Sequence, residues 1–353
     1  MTFEPVRWAV AGWGVGGRVF HAPLIRSAAG LDLVAVVSTN PERGREARAE
    51  GLDVMEDLTG LRDAGVEGVT ITTPAGTHAD LAVEALGLGL HVVVDKPFAT
   101  TAHDARRIVA AVSGDTVLTV YQNRRWDGDF LTIEQLVRDG ELGRVDRLES
   151  RIERFRPDLP RWTHDRGSVA GGGVLVDLGP HLIDQAVHLL GPVHQVLADL
   201  ATLGEDRVSE DDAIVMLRHE SGARSTIVAS VHAAAEGPRF RVSGTRGGLR
   251  IEGFDPQEDQ LFAGDSPRSA GDRWGEDDPG RTLLLEGACG AEQRALTRGR
   301  WDTFSPAVAS AIRTGSAAPV PPSDAVHVAA IFDAARLSAA QERWIDVERH
   351  AKN

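Results

Sequence analysis

The segment VRWAVAGWGVGGRVFHAPLI, residues 6–25, constrains the fold more than any other stretch. Its β-branched start reads as a strand over 6–12, and a helix is expected over 17–29. Between them Gly12, Gly14 and Gly17 form G-x-G-x-x-G, with Val15 inside the loop. Glycine there permits a tight turn and close approach of backbone to a pyrophosphate resting on the helix N-terminus. The pattern alone would be a glycine turn; the strand before it and the helix after it make it a dinucleotide site.

The rhythm then repeats. Apolar runs at 31–38, 68–73, 91–95 and 116–121 read as strands buried on both faces, and 41–50, 76–88 and 101–113 read as helices. Such alternation implies a doubly wound parallel sheet over a first domain, 1–122. After Asn123 the pattern changes. Helices are expected at 129–138 and 174–190. Strand-like runs at 144–155, 193–202, 212–219, 223–232 and 239–243 follow with few helices between them. The second domain, 123–353, is therefore expected to be α+β with a large, mostly antiparallel open sheet. Residues 253–281, dense in Gly, Pro and Asp, read as a long loop, and 323–342 as a closing helix.

A formal charge of −14 excludes nucleic acid and anionic membrane as natural partners. No apolar run approaches the ~18 residues of a membrane span, and the N-terminus lacks a signal-peptide pattern. The lone Cys289 has no partner for an internal disulfide. A cytoplasmic protein is expected.

All but two of the 38 basic residues are Arg; the lysines are Lys96 and Lys352. Lys96 follows HVVVD and precedes Pro97, at the carboxyl end of a parallel strand, where ligands of doubly wound folds bind. A compact ammonium there could hold a substrate oxygen, whereas the alternative is a solvated turn lysine. TTPAGTH (72–78) ends another such strand, so Thr73, Pro74 and His78 should border the same crevice.

Cofactor choice is read at the end of the second strand. NAD sites place a carboxylate there for the ribose 2′-hydroxyl; here stand Ser38, Thr39 and Asn40, with Arg43 just behind. Hydroxyls and a guanidinium suit a 2′-phosphate, so NADP(H) is favoured and NAD(H) remains possible. In the opposing reading Ser38 merely caps the next helix and Arg43 is solvated.

In GGGVLVDLGPHLIDQAVH (171–188), Asp177 and His181 are four apart, on one face of a helix, with a break expected near Gly179 and the main helix starting at Pro180. A carboxylate near a histidine suits general acid/base work, and Asp177 is expected to orient His181. Asp184 and His188 extend the stripe, but the four residues span too many turns to ligate one ion, so no metal is expected.

Together the N-terminal glycine loop, the Asp95-Lys96-Pro97 triplet and the Asp177/His181 pair resemble the Gfo/Idh/MocA family of sugar and polyol dehydrogenases. FHAPLI (20–25), YQNRRWDGDF (121–130), GGGVLVDLGPHLIDQ (171–185) and 256–275 are most similar to its NADP-dependent scyllo-inositol dehydrogenase subgroup. The resemblance implies Lys96, Asp177 and His181 as the catalytic set, Asp95 and Lys96 beside the cofactor, and Asn123, Arg125 and Trp162 near a small polyol or sugar substrate. It also implies a homodimer or homotetramer formed through the second sheet. Two departures stand out: the triplet usually carries Glu where this chain has Asp95, and Gln122 stands where relatives tend to have His. The fold also hosts non-catalytic NADP-sensing regulators, against which Lys96 and His181 argue together, and NAD-dependent glycosidases, against which the NADP preference argues.

Overall fold

The structure, a computed structural model, describes residues 4–156, 166–287 and 290–348. Strands β1 (Val6–Ala11), β2 (Leu31–Val37), β3 (Asp53–Met55), β4 (Gly68–Ile71), β5 (His91–Asp95) and β6 (Leu118–Tyr121) pair in parallel in the order β3-β2-β1-β4-β5-β6. The order reverses at β1, so the connections leaving β1 and β4 diverge and open a crevice at the carboxyl edge. β4 and β6 are buried at every position, as expected of strands covered on both faces. The covering helices include α1 (Ala22–Ser27), α2 (Pro41–Ala49), α3 (Thr59–Asp63), α4 (His78–Gly87) and α5 (Ala102–Ala110). The helix expected over 17–29 is wound as a π-helical turn over Gly16–His21 before α1. Pro23 has no N–H to give the Val19 carbonyl its α-helical bond, and the wider turn lies immediately ahead of it.

The second sheet contains β7 (Val145–Glu153), β8 (Val193–Ala201), β9 (Asp212–His219), β10 (Arg224–Ser230), β11 (Phe240–Gly244), β12 (Gly247–Ile251), β13 (Thr282–Gly287), β14 (Gly290–Ala295) and β15 (Ile345–Asp346). Its order is β14-β13-β12-β11-β7-β10-β9-β8-β15. Among the described residues only β7 and β10 pair in parallel in this sheet, and the other pairings are antiparallel. Helices α6 (Gly128–Arg138), α7 (Val174–Asp177) and α8 (Gly179–Leu190) belong to this half, and Phe130, Ile133, Leu182, Ile183 and Phe332 are buried in its core.

Residues 253–281 are not the featureless loop expected. They contain α9 (Gln257–Phe262) and α10 (Pro267–Ala270), with Asp255 accepting from the backbone N–H of Gly128 (2.7 Å) and of Gln257 (3.0 Å). After α11 (Phe304–Thr314) the chain runs into α12 (Pro322–Gln341). Trp301, Phe304, Val308, Val320 and Val326 pack into the first core, whereas Val328, Ile331 and Phe332 pack into the second. One helix thus touches both halves, and the crevice between them is held from behind. Among the described residues no helix is long and apolar enough to cross a membrane.

Candidate active site

The glycine loop is built as its spacing demands. Gly12 has φ +99°, and a Cβ there would meet the Thr72 carbonyl at 3.0 Å; one on Gly17 would lie 2.1 Å from the Gly12 carbonyl oxygen. The Thr72 hydroxyl donates to that same oxygen (2.7 Å), tying the loop after β1 to the end of β4. Val15 is exposed at the tip. At the end of β2 the helix cap is Asn40, not Ser38: its Oδ1 accepts from the N–H of Glu42 (3.0 Å) and of Arg43 (3.1 Å). Ser38 Oγ accepts from Asn40 N–H (3.3 Å), and Thr39 is exposed beside it. The Arg43 guanidinium folds back over the loop, 3.7 Å from where a Cβ on Gly14 would stand, and forms no ion pair among the described residues.

Lys96 leaves β5 into this crevice. Its Nζ donates to Asp177 Oδ1 (2.8 Å) and to the Asp177 carbonyl (3.0 Å), while its backbone N–H donates to Asp95 Oδ1 (2.8 Å). Burial alone would lower the ammonium's pKa, but the carboxylates of Asp177 and Asp95 outweigh it and hold Lys96 above its ordinary value. His181, four residues after Asp177 near the start of α8, is buried, and its Nδ1 has no partner among the described residues. Burial and the cations of Lys96, Arg124, Arg239 and Arg154 push its pKa well below 6.5, so the imidazole is neutral.

Further buried polar atoms nearby have no hydrogen-bond partner among the described residues: Tyr121 Oη, Gln122 Oε1, His21 Nε2 and Arg124 Nε. His21 and Tyr121 rings pack at 4.3 Å, and His21 Nε2 stops 3.6 Å short of Asp95 Oδ1. Orphaned buried donors and acceptors are rare in folded proteins. Gathered beside a backbone cradle with no room for side chains, they fit a dinucleotide and a polar ligand. Below them Arg124 binds Asp127 and Glu258, and Arg239 donates to Ser150 Oγ (2.6 Å) and Gln185 Oε1 (2.8 Å).

This architecture matches known proteins along nearly all its length. Residues 6–122 match the model of the oxidoreductase family with an NAD-binding Rossmann fold, and 130–250 match the GFO/IDH/MocA C-terminal domain. The chain belongs to the Gfo/Idh/MocA oxidoreductase family. It is 37% identical to the uncharacterized oxidoreductase YdgJ of Escherichia coli, over 94% of this chain and 95% of that one. It is 31% identical to the NADP(+)-dependent scyllo-inositol 2-dehydrogenase IolW of Bacillus subtilis, over 98% and 97%. The structure of YvaA from Bacillus subtilis superposes with a TM-score of 0.91 at 29% identity, covering 99% of this chain and 100% of that one.

Within this Gfo/Idh/MocA oxidoreductase the expected residues divide. The glycine loop, Asp95, Lys96, Asp177 and His181 converge on one crevice, but three expected roles change. Asp177 does not orient His181. The helix breaks at Leu178, as Pro180 predicts, and turns the carboxylate to Lys96; no hydrogen bond joins Asp177 to His181 among the described residues. Arg125 is not free for substrate. It forks onto Asp184 (2.7 and 2.6 Å) and reaches Asp324 (3.0 Å), pinning α8 to α12. His78 is buried with Nδ1 2.8 Å from the Pro97 carbonyl and Nε2 2.7 Å from that of Thr73, so its ring ties two loops together and has no nitrogen left for a cofactor. Thr73 pairs with Thr77, and the Pro74 carbonyl accepts from the Thr77 N–H, closing that turn. Asn123 is buried at the start of the short helical turn after β6. Trp162 lies outside the described residues. Arg124, Arg239 and Glu258 escaped notice in the sequence: 253–281 read as a loop, and nothing in it shows that Glu258 meets an arginine 134 residues earlier.

Proposed function

We propose that this chain is an NADP(H)-dependent dehydrogenase of a small polyol or sugar with a secondary hydroxyl, the inositols being the leading class. The observation that carries the reading is a charged Lys96 and a neutral His181, its Nδ1 without a partner among the described residues, set together at the carboxyl edge of the parallel sheet, beside the glycine loop. The loop from Gly12 to Gly17 would hold the pyrophosphate, and Ser38, Thr39 and Arg43 the 2′-phosphate, with no carboxylate at the end of β2 to repel it. When bound, the nicotinamide supplies the acceptor for the hydrogen and electron pair of the substrate C–H bond.

Everything else falls to the protein. Lys96 donates a hydrogen bond from Nζ to the substrate oxygen and favours the negative charge that builds there as the proton departs. Its raised pKa keeps it cationic, so it is a donor and an electrostatic partner, not the proton acceptor. His181, neutral at physiological pH, takes the hydroxyl proton onto its imidazole. Asp177 fixes Lys96 Nζ and acts on the substrate through it. In the reductive direction His181 returns the proton to the carbonyl oxygen. Inositols and their ketones are supported by the likeness to IolW over the whole chain. A spectrophotometric screen of inositols, inososes and aldoses with NADP(H) and NAD(H) tests the reading. Turnover of an inositol or inosose with NADP(H) is the expected result; no turnover of any polyol or sugar with either cofactor would overturn it.

A further inference from the structure

Lys96 and Asp177 face each other across the seam between the two halves, and the backbone on both sides of that seam is bound by one side chain of α12. Arg336 donates from Nε to Ser168 Oγ (2.9 Å), from Nη1 to the Thr100 carbonyl (2.8 Å) and to Asp333 Oδ1 (3.1 Å), and from Nη2 to the Ser168 carbonyl (3.3 Å). Thr100 lies four residues after Lys96 and Ser168 nine residues before Asp177. Asp333, one turn earlier on α12, accepts from the Ala102 N–H at 2.8 Å. The two backbones also bind directly: the Thr100 hydroxyl donates to the Val169 carbonyl (2.7 Å), and a Cβ on Gly76 would lie 2.8 Å from the Ala170 carbonyl. From its other side the Asp177 segment rests on Glu210, whose Oε1 accepts from the Leu175 N–H (3.2 Å) and whose carbonyl accepts from the Val174 N–H (3.0 Å).

The Arg336 guanidinium ties two separate backbone segments together. It is mostly buried, with its side chain 16% exposed, and burial lowers its pKa. Its donors go to backbone on both sides of the seam rather than to carboxylates alone, and a planar fork can bridge two segments at fixed spacing as a flexible ammonium cannot. Both ends of that bridge continue directly into the segments that present Lys96 and Asp177.

We propose that Arg336 is a positioning residue for the reacting pair: by gripping Ser168 and Thr100 at once it sets the distance between Lys96 Nζ and the Asp177 carboxylate. It touches neither substrate nor cofactor and acts through the backbone of the two loops. The proposal rests on the reading of Lys96 as the group that holds the substrate oxygen.

The chain's two lysines make a direct test practical. Protein grown with isotope-labelled lysine gives two Cε signals, from Lys96 and Lys352, and Lys352→Arg assigns them. The charged groups that face Lys96 are Asp177, Asp95 and Arg124, with His181 beside them. Following the Lys96 signal against pH in wild type, Arg336→Met and Ser168→Ala reads the contact without any substrate. If the clamp sets the dyad, both variants loosen Asp177 and the Lys96 midpoint falls by about one pH unit or more, the weight of an opposite charge at close range. Simple loss of a nearby positive charge in Arg336→Met would move the midpoint the other way, and Ser168→Ala changes no charge. A midpoint that stays in place in folded Ser168→Ala, or rises in Arg336→Met, overturns the proposal whatever happens to thermal stability. Because the titration needs no turnover, failure of the clamp is separate from failure of the catalytic assignment, which Lys96→Arg and His181→Ala address.

Discussion

Asp177 Oδ1 lies 2.8 Å from Lys96 Nζ, 81 residues away in the chain, and makes no hydrogen bond to His181, four residues away. The carboxylate therefore serves the cation and leaves the imidazole to the field around it. Replacing Asp177 with Asn should lower the alkaline limit of kcat/KM for hydroxyl oxidation by about 1–3 pH units, because Lys96 loses its nearest counter-charge. The acid limit, set by His181, should stay where it is. A pH–rate profile in which only the acid limit moves would return Asp177 to the role of orienting His181.

The same field gives a second expectation. His181 is pushed well below 6.5 by burial and by neighbouring cations, so the imidazole needed for proton acceptance persists as the solution is acidified. Oxidative kcat/KM should hold its plateau from neutral pH to well under 6.5. A profile that already falls by half at pH 6.5 would mean that the proton acceptor is an unperturbed histidine.

Arg43 lies over the glycine loop with no acidic partner among the described residues, and a hydrogen bond between charged groups is worth ~1.5–3 kcal/mol. Arg43→Ala should therefore weaken NADPH binding roughly 10- to 100-fold and leave NADH binding nearly unchanged. Fluorescence titration of both cofactors measures it; equal losses for the two would show that the guanidinium does not read the 2′-phosphate.

Acid should destabilise the fold through histidines held neutral. His219 donates from Nδ1 to the Gly191 carbonyl (2.7 Å) and has Nε2 2.8 Å from Ser225 Oγ, and burial lowers its pKa to about 4. In the unfolded chain it binds a proton near pH 6.5, so its contribution is complete above that value and is lost as pH falls toward 4. The loss amounts to about 3 kcal/mol at 1.36 kcal/mol per pH unit. Urea unfolding at pH 7 and pH 4.5 should show a smaller pH dependence in His219→Gln than in wild type; equal slopes would contradict the assignment.

The second sheet presents exposed apolar residues where self-association is expected. On β9, Ile214 and Met216 are exposed; their cross-strand neighbours on β8 are Asp199 and Leu197 and on β10 Val228 and Thr226. That apolar centre, flanked by arginines and glutamates on β7, suits an interface between copies. Light scattering should give a dimer or tetramer at micromolar concentration, and Ile214→Asp with Met216→Glu should return it toward the 37.8 kDa monomer. A wild-type mass already at the monomer would contradict it.

What could be read in the chain followed a physical divide. Strands β1, β2, β4, β5 and β6 were legible because both-face burial writes them as apolar runs, and the helix break before Pro180 because proline lacks an N–H. The edge strand β3 has three residues and α3 five, too few to show a period. Helices α9 and α10 were hidden because their residues look like loop until Gln257, Asp255 and Ser266 are given their partners. At the site, residue types were legible and pairings were not. Asp177 and His181 share a helical spacing, yet the break at Leu178 gives the carboxylate to Lys96; Arg125 stands in a motif near the substrate, yet Asp184 and Asp324 claim it. In the sequence Arg336 is one arginine among many; only the fold sets Ser168 and Thr100 on either side of it.

The central claim is that Lys96 holds the substrate oxygen and His181 moves its proton, and the most direct test is steady-state turnover of Lys96→Arg and His181→Ala with the substrate found by the cofactor screen. His181→Ala should lower kcat by ~10²–10⁴, the usual worth of a positioned acid/base group, with cofactor affinity nearly unchanged. Lys96→Arg keeps the charge in the residue this chain uses almost everywhere else, but a bulkier, planar guanidinium cannot present one compact donor at the same point, and it should be folded and nearly inactive. Wild-type kcat in folded Lys96→Arg, or a His181→Ala enzyme with kcat undiminished, would contradict the account.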